Sequence, residues 1–285
     1  MENFLIAIGT LGLIVLLWVL IRKARAVVTF RPGSEIAETP RKYPAPRKEQ
    51  VARRALCLGA LVLRGQYEAA LHDSGRAHEW ENYREAAGRI EEWLTAKMLL
   101  VGLMPDEVNL MSKEAGAWSR EEIAESGRMA EVLGCLCWAL TLAREMPPYD
   151  RRFDAANILP YLHLAEDGFD IESASKMRTF DFLLRERETA KHWDWRAELH
   201  EKKERGENPP AGFKYEQIIS FAAQAGFRGG ESGEPVDDDL PALGKAYREL
   251  SGEDFALVRF IANRRLRAFN WLCGYTDSLT PPPEK

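Results

Sequence analysis

The sequence predicts an all-α fold in which one N-terminal transmembrane helix precedes a multi-helix globular domain. Residues 4–21 form an uncharged apolar run. From about residue 48 onward, Ala, Leu, Glu and Arg dominate, and apolar residues recur at the spacing of one helix face. We find no segment with the apolar-polar alternation of a half-buried strand. The content of 46% hydrophobic and 29% charged residues excludes wholesale disorder.

The first predicted element is a transmembrane anchor over residues 1–21. Its apolar run is 18 residues long, and as a helix it would span about 27 Å, close to the hydrocarbon core of a bilayer. A cleaved signal peptide is the alternative, because Ala24-Arg25-Ala26 imitates a small-residue cleavage site. A signal peptide, however, carries positive charge before a shorter apolar stretch, whereas here Glu2 is the charged side chain that precedes the run.

Positive charge follows the anchor and predicts its orientation. Residues 22–50 hold eight Lys or Arg and three acids, together with Pro32, Pro40, Pro44 and Pro46. By the positive-inside rule, these cations place the N-terminus outside and the body in the cytoplasm, at the inner (plasma) membrane. Residues 22–49 are predicted to form a semi-extended basic linker, which either contacts anionic lipid or serves as a topology signal and spacer.

The body of the protein is acidic. The first 50 residues carry eight basic and four acidic side chains, whereas the remaining 235 carry 31 basic and 40 acidic ones. Neutralising the phosphates of a nucleic acid requires a dense basic face. We therefore expect no nucleic-acid partner.

A helical domain is predicted over residues 50–275, and its first half should hold four helices. Their approximate ranges are 47–72, 80–101, 105–115 and 119–146. Pro105, followed by two acids, is typical of the first turn of a helix. Ser119 and Glu122 form a capping box before the fourth helix, and Pro147-Pro148 ends it. This helix is apolar on nearly every side around residues 133–142, so we expect it at the centre of the domain.

The second half of the domain should hold four more helices, separated by loops rich in Gly and Pro. Their approximate ranges are 154–164, 173–203, 215–225 and 251–272. Residues 226–239 are Gly-rich and acidic and are predicted to form a mobile, exposed loop. Residues 276–285, which contain three consecutive prolines, are predicted to be a disordered tail.

Four segments carry a resemblance to a known family. They are Arg53-Arg54-Ala55-Leu56-Cys57-Leu58, the segment 131–140 followed by Pro147 and Asp150, the pair Trp195-Arg196, and the segment 264–272 with its Ala268-Phe269-Asn270-Trp271-Leu272 end. In this order, across about residues 50–275, they resemble the bacterial family called domain of unknown function 4272. The resemblance implies a helical fold and a bacterial origin, and it assigns no activity.

Several chemistries are not supported by the sequence. Residues 226–233 lack the preceding strand and the lysine of a phosphate-binding loop. Ser232 lacks the strand-turn-helix setting of a catalytic nucleophile, so we expect it to be a loop residue. His192 and His200 lie about 12 Å apart along one helix and are expected on its solvated face. No metal site and no cofactor are therefore predicted.

The cysteines are expected to be free thiols in the core. Cys135 and Cys137 point to different sides of one helix and cannot close an unstrained disulfide. A cytoplasmic body keeps its thiols reduced, so Cys57 and Cys273 need no partner either.

Glu131 is the candidate functional residue on which the sequence argument centres. It lies in the apolar helix and shares a face with Trp138. An ionised carboxylate there needs a cationic or hydrogen-bonding partner, which we expect to be Arg54 or a member of the group 264–267. Such a cluster is either a structural ion pair or a polar pocket. The candidate binding residues are Arg54, Glu131, Trp138, Asp150, Arg264, Asn270 and Trp271.

The favoured function is a binding or adaptor module at the cytoplasmic face of the inner membrane. It would contact the membrane through residues 4–21 and bind a protein partner. The alternative is an enzyme, a hydrolase or transferase, with a polar pocket formed by Glu131, Asp150, Arg264 and Asn270. Convergence of these residues in one accessible pocket would favour a ligand binder or enzyme, whereas their pairing as buried bridges would favour an interaction module. The oligomeric state is left open.

Overall fold

The computed structural model describes residues 41–166, 168–209 and 212–279, and these residues confirm the all-α class. The predicted anchor, residues 1–21, lies outside them, as does most of the linker. In the described part of the chain, no helix is long and apolar enough to cross a bilayer. One small departure is a pair of antiparallel two-residue strands, β1 (Pro241–Ala242) and β2 (Lys245–Ala246), which the sequence analysis did not predict.

The α-helices of the described ranges are numbered here in chain order. They are α1 (Lys48–Leu71), α2 (Trp80–Ala96), α3 (Pro105–Met111), α4 (Arg120–Arg128), α5 (Ala130–Ala139), α6 (Ala155–Ile158), α7 (Ile171–Ala174), α8 (Phe180–Glu204), α9 (Tyr215–Gly229) and α10 (Gly252–Leu272). Short 3-10 turns lie at Ser74–Glu79, Leu100–Gly102, Leu159–Leu162 and Tyr247–Glu249.

The core is built around α1 and α5. The first of these packs against α2, α4 and α5, and α10 lies along both α8 and α5. All residues of α5 are buried, Glu131 among them, as its otherwise apolar sequence predicts. A second, smaller apolar cluster joins α8 to α9 and consists of Trp195, Leu199, Tyr215, Ile218, Ile219 and Ala222.

The predicted helix over residues 119–146 is wrong in its C-terminal limit. Helix α5 ends at Ala139, well before the prolines, because Thr141 adopts the left-handed conformation with φ +58°. The N–H groups of Leu142 and Ala143 both turn back to the carbonyl of Cys137, at 2.9 and 3.1 Å. These bonds satisfy the carbonyl of Cys137, one of the acceptors that a helix leaves without an internal partner at its C-terminal end.

The long helix predicted from residue 173 begins only at Phe180. Ser175 is extended, and residues 176–178 run past the end of α5 instead. There the N–H of Lys176 donates to the carbonyl of Leu140, and that of Arg178 to the carbonyl of Ala139. Tertiary pairing of the backbone thus overrides the local helical pattern in this segment.

The exposed loop predicted over residues 226–239 is wrong at both of its ends. Helix α9 continues to Gly229, and Asp239 is fully buried. The carboxylate of Asp239 accepts hydrogen bonds from Nε and Nη2 of Arg196, at 2.8 and 2.7 Å, and from the N–H of Arg248 at 3.0 Å. A buried guanidinium requires such a counter-charge, which holds the end of this segment in the core.

Both predicted flanks of the domain contact it. The N–H groups of Lys42 and Tyr43, in the predicted linker, donate to the carbonyl of Gly274 at 3.2 and 3.0 Å. Leu279, in the predicted tail, is 7% exposed and belongs to the main core. Residues 280–285 lie outside the described ranges.

Candidate functional site

Glu131 makes a buried ion pair with Arg265, as predicted for a member of the group 264–267. Their exposed fractions are 2% and 0%, and Nε of Arg265 lies 2.6 Å from Oε1 of Glu131. The second carboxylate oxygen of Glu131 accepts a hydrogen bond from the N–H of Phe153 at 3.1 Å. The carboxylate is therefore both paired and hydrogen-bonded, which is the condition under which a charge is tolerated in a core.

The remaining N–H groups of Arg265 hold a loop in place. Nη1 donates to the carbonyl of Pro147 and Nη2 to the carbonyl of Arg151, the latter at 2.9 Å. The guanidinium also lies over the ring of Tyr149, 4.6 Å from its centroid. Burial raises the pKa of the Tyr149 hydroxyl well above its usual range. Helix α10 thus anchors the loop that follows α5 through main-chain acceptors.

Three of the predicted site residues form separate pairs away from Glu131: Arg54 with Glu107, Arg264 with Glu125, and Asn270 with Arg187. Nη1 and Nη2 of Arg54 each lie 2.6 Å from an oxygen of the Glu107 carboxylate. Glu107 also accepts the N–H of Met104 at the start of α3, so its position there is determined by capping. Of the two partners considered for Glu131, the structure therefore shows the group 264–267 and not Arg54. Arg264 and Asn270, expected in one pocket with Glu131 under the alternative of an enzyme, have other partners.

The other predicted residues are also dispersed. Trp138 is buried on α5, with its ring edge against Phe269 at 5.8 Å between centroids. Asp150 accepts a hydrogen bond from the N–H of Leu243 at 2.8 Å. Trp271 lines a cavity of about 440 Å³ together with residues 43–47.

A cleft of about 590 Å³ opens over the loop that Arg265 holds. Three arginines line it: Arg144, Arg151 and Arg152. Apolar side chains form much of its lining: Met146, Pro147, Pro148, Phe153, Ile158 and Tyr161. We call this site, lined by residues between 143 and 161, the arginine cleft. Arginines and apolar side chains that line one cleft suit a ligand that combines carboxylate or phosphate groups with apolar surface.

The arginine cleft has few groups suited to catalysis. None of the described residues that line it is Ser, Cys, His or Lys. Its carboxylates are Glu145 and Asp154, and Asp154 is engaged in capping α6, where it accepts the N–H of Ala156 at 2.9 Å. The arrangement can bind and orient a ligand, but it offers no activated nucleophile.

Two arginines that shape the cleft were not among the predicted site residues. Arg178 donates to the carbonyl groups of Trp138 and Arg144, at 2.8 and 3.0 Å, and Arg265 donates to those of Pro147 and Arg151. Arg265 lay in the group named as partners for Glu131. The sequence did not point to Arg178 as a site residue, because it lies in a segment that was predicted to be part of a charged helix.

A second polar group lies beneath α9 and joins His192, Ser232 and Glu231. His192 is 3% exposed, so the prediction that it lies on a solvated face is wrong. Its Nε2 and the Oγ of Ser232 are both buried without a hydrogen-bond partner, and Oε2 of Glu231 lies 3.8 Å from Nδ1 of His192. Gly226 permits this approach, since a Cβ there would lie only 2.9 Å from Nε2 of His192.

A serine, a histidine and a carboxylate also make up a catalytic triad, but the pKa values of His192 and Glu231 do not fit the roles of base and orienting acid in a triad. Burial lowers the pKa of His192 to about 4, so the imidazole is a weak base. Burial also raises the pKa of Glu231, and Ser232 Oγ is shielded from solvent. The group is better explained as polar packing between α8 and α9.

The buried His192 predicts a specific loss of stability in acid. Its pKa falls from 6.5 to about 4 on folding, mainly through desolvation and also through Arg196, so the unfolded chain binds the proton first. The free energy of unfolding should fall by about 3 kcal/mol as the pH drops across this interval. Urea unfolding at about pH 7 and about pH 4.5 should show a smaller pH dependence for His192→Gln than for the wild type.

His72 provides the matched control for this prediction, because it is exposed and its side chain forms no ion pair with a described residue. His72→Gln should keep the difference in stability that the wild type shows between the two pH values. Equal pH dependence in the wild type and in His192→Gln would contradict a buried, neutral His192.

The structure offers no evident metal or thiol chemistry in its described ranges. No group of three or more His, Cys, Asp or Glu residues there is placed to hold a metal ion. All four cysteines are buried free thiols, as predicted. Burial raises the pKa values of Cys57 and Cys273 to about 11, which disfavours the reactive thiolate.

The family resemblance is confirmed by a family model, although with different limits. The model described as Domain of unknown function (DUF4272) matches residues 24–220. The match begins inside the predicted linker and ends within α9, so it includes Glu131 and the arginine cleft but not α10. No curated protein and no solved structure matches the chain. Because the matched region covers well over half of its length, the chain belongs to the family of the domain of unknown function DUF4272.

Proposed function

We propose that this protein is a binding module anchored at the cytoplasmic face of the bacterial inner membrane, and that the arginine cleft binds an acidic, apolar segment of a protein partner. The observation that carries this proposal is that three arginines and a set of apolar side chains line the same cleft. Arg151 is exposed and forms no ion pair with a described acid. In a body with an excess of acids, this local basic site is complementary to an acidic segment.

The distribution of polar residues favours binding over catalysis. Glu131, Arg54 and Arg264 pair off as bridges and do not surround one cavity. Apolar side chains are also exposed on the domain surface, with Met98 77% and Val101 80% exposed. The alternative of a hydrolase or transferase has less support, because the arginine cleft has no activated nucleophile.

The membrane anchor is part of the same proposal. It is supported by the uncharged run over residues 4–21 and by the cations that follow it. In this arrangement the anchor holds the protein at the membrane, and the helical domain binds the partner protein.

Site-specific photo-crosslinking of the full chain in its own membranes tests the proposed cleft. A photo-reactive amino acid in place of Tyr161, whose side chain is 42% exposed, should form an adduct with an acidic peptide of one partner protein. The double substitution Arg151→Glu and Arg152→Glu should reduce this adduct about tenfold or more, because like charges then oppose the acidic segment.

A matched pair of substitutions separates local from general charge effects. Arg84→Glu with Arg89→Glu alters two exposed arginines on α2, 49% and 57% exposed in their side chains, and should leave the adduct intact. An adduct that is equally lost in both double variants, or that maps to a non-acidic peptide, would contradict the proposal.

A further inference from the structure

The first turn of α8 presents two phenylalanine rings to solvent. Residues 179–182 are all exposed, with Phe180 38% and Phe182 48% exposed. Phe180 and Phe182 are two positions apart in the first turn and therefore point to different sides of α8. Both rings can meet one surface only where the N-terminal end of the helix, and not one side of it, faces that surface.

A guanidinium group lies over each of these rings. Arg41 is 5.0 Å from the ring centroid of Phe180, and Arg185 is 4.4 Å from that of Phe182. Tyr43, two residues after Arg41, is 38% exposed. Aromatic rings with neighbouring cations match the membrane interface, where rings sit at the headgroup level and cations reach the lipid phosphates. Asp181, between the two phenylalanines, is the acid of this turn and partly offsets the positive charge.

The position of this surface along the chain favours lipid as its occupant. Arg41 is the first described residue, and the 40 residues before it contain the apolar run over residues 4–21. The 19 residues between this run and Arg41 can extend to about 60 Å. The tether alone therefore keeps the domain near the bilayer without bringing it into contact.

We infer that Arg41, Tyr43, Phe180, Phe182 and Arg185 form a docking surface for the headgroup layer of an anionic membrane. This inference rests on the membrane anchor of the proposed function. Docking adds a second contact to that anchor, and the tether raises the effective concentration of the surface at the bilayer. It holds the domain in one orientation, with the first turn of α8 against the lipid.

A single fluorescent label on the full chain tests the docking surface. The four native cysteines are buried, so Thr179→Cys creates one reactive thiol beside the two rings, and Thr179 makes no side-chain capping bond that would be lost. With an environment-sensitive dye at this position, we expect a blue shift and a several-fold rise in emission in phosphatidylcholine vesicles containing phosphatidylglycerol. Vesicles of phosphatidylcholine alone should give a much smaller change.

Matched substitutions identify the side chains responsible. Phe180→Ser with Phe182→Ser should abolish the emission change. Phe221→Ser with Phe227→Ser, which alters two rings 42% and 45% exposed on α9, should preserve it. Circular dichroism of both double variants checks that the helices remain.

Extraction at alkaline pH separates failure of the anchor from failure of docking. Loss of the full chain from the membrane pellet would refute the anchor and, with it, the proposed location. Retention in the pellet without a blue shift would refute the docking surface alone. An emission change that is equally lost in both double variants would also overturn the assignment to Phe180 and Phe182.

Discussion

Replacing Glu131 by Gln is expected to lower the free energy of unfolding by about 3–5 kcal/mol, because it strands the charge of Arg265 in the core. Arg265 is 0% exposed, so water cannot replace the lost carboxylate. The backbone acceptors of Pro147 and Arg151 remain, but they carry no charge that balances the guanidinium. The measurement is the midpoint and slope of the urea-induced loss of the helical circular dichroism signal.

The same chemical change at Glu125 is the control. Glu125 pairs with Arg264 and with Arg128, and the exposed fractions of the three side chains are 36%, 19% and 32%. Since such partly exposed pairs are screened by solvent, Glu125→Gln should cost less than about 1 kcal/mol. If Glu131→Gln instead preserves stability and abolishes crosslinking at the arginine cleft, then Glu131 acts in binding and is more than a structural bridge.

The second large effect is expected at Gly134, in the middle of α5. A Cβ at this position would lie 2.2 Å from Cγ of Phe153, and Phe153 is itself 8% exposed and donates its N–H to Glu131. Gly134→Ala should therefore destabilise the domain by about 1–3 kcal/mol through overpacking. Alanine favours a helix by about 1 kcal/mol over glycine, so the clash must exceed that gain for the sign to hold.

Gly88 on α2 gives the opposite expectation for the same substitution. A Cβ there has no atom within 4 Å. Gly88→Ala should stabilise the domain by up to about 1 kcal/mol, through helix propensity alone. Unfolding curves of the two alanine variants should thus shift in opposite directions, and a stabilising Gly134→Ala would show that Phe153 moves aside without cost.

A helix could be predicted from the sequence where apolar residues at helical spacing follow a residue that can cap the first turn. The stripes of α1, α2 and α10 predicted these helices to within a few residues of their limits, except at the C-terminal end of α2. The end of α5 was not predictable, because it depends on the left-handed Thr141 and on backbone pairing with the distant Arg178. Local propensity carries no information about such tertiary pairing.

The candidate site was predictable only in part, for a similar reason. A carboxylate in an apolar helix had to find a cation, so a cationic partner for Glu131 followed from electrostatics, but the choice between Arg54 and the group 264–267 did not. The partner of Arg54 depended on how α1 packs on α3. The arginine cleft depends on guanidinium groups that bind main-chain carbonyls, and no pattern of residue types reveals such acceptors.

The helix that supplies Arg265 lies outside the segment by which the family is recognised. The matched region ends at residue 220, whereas α10 begins at Gly252. A chain shortened to the matched region would contain an acid in its central helix with its counter-ion removed. The described helical domain therefore extends beyond the residues that the family model matches. The ion pair between Glu131 and Arg265 joins a residue inside the matched region to one outside it.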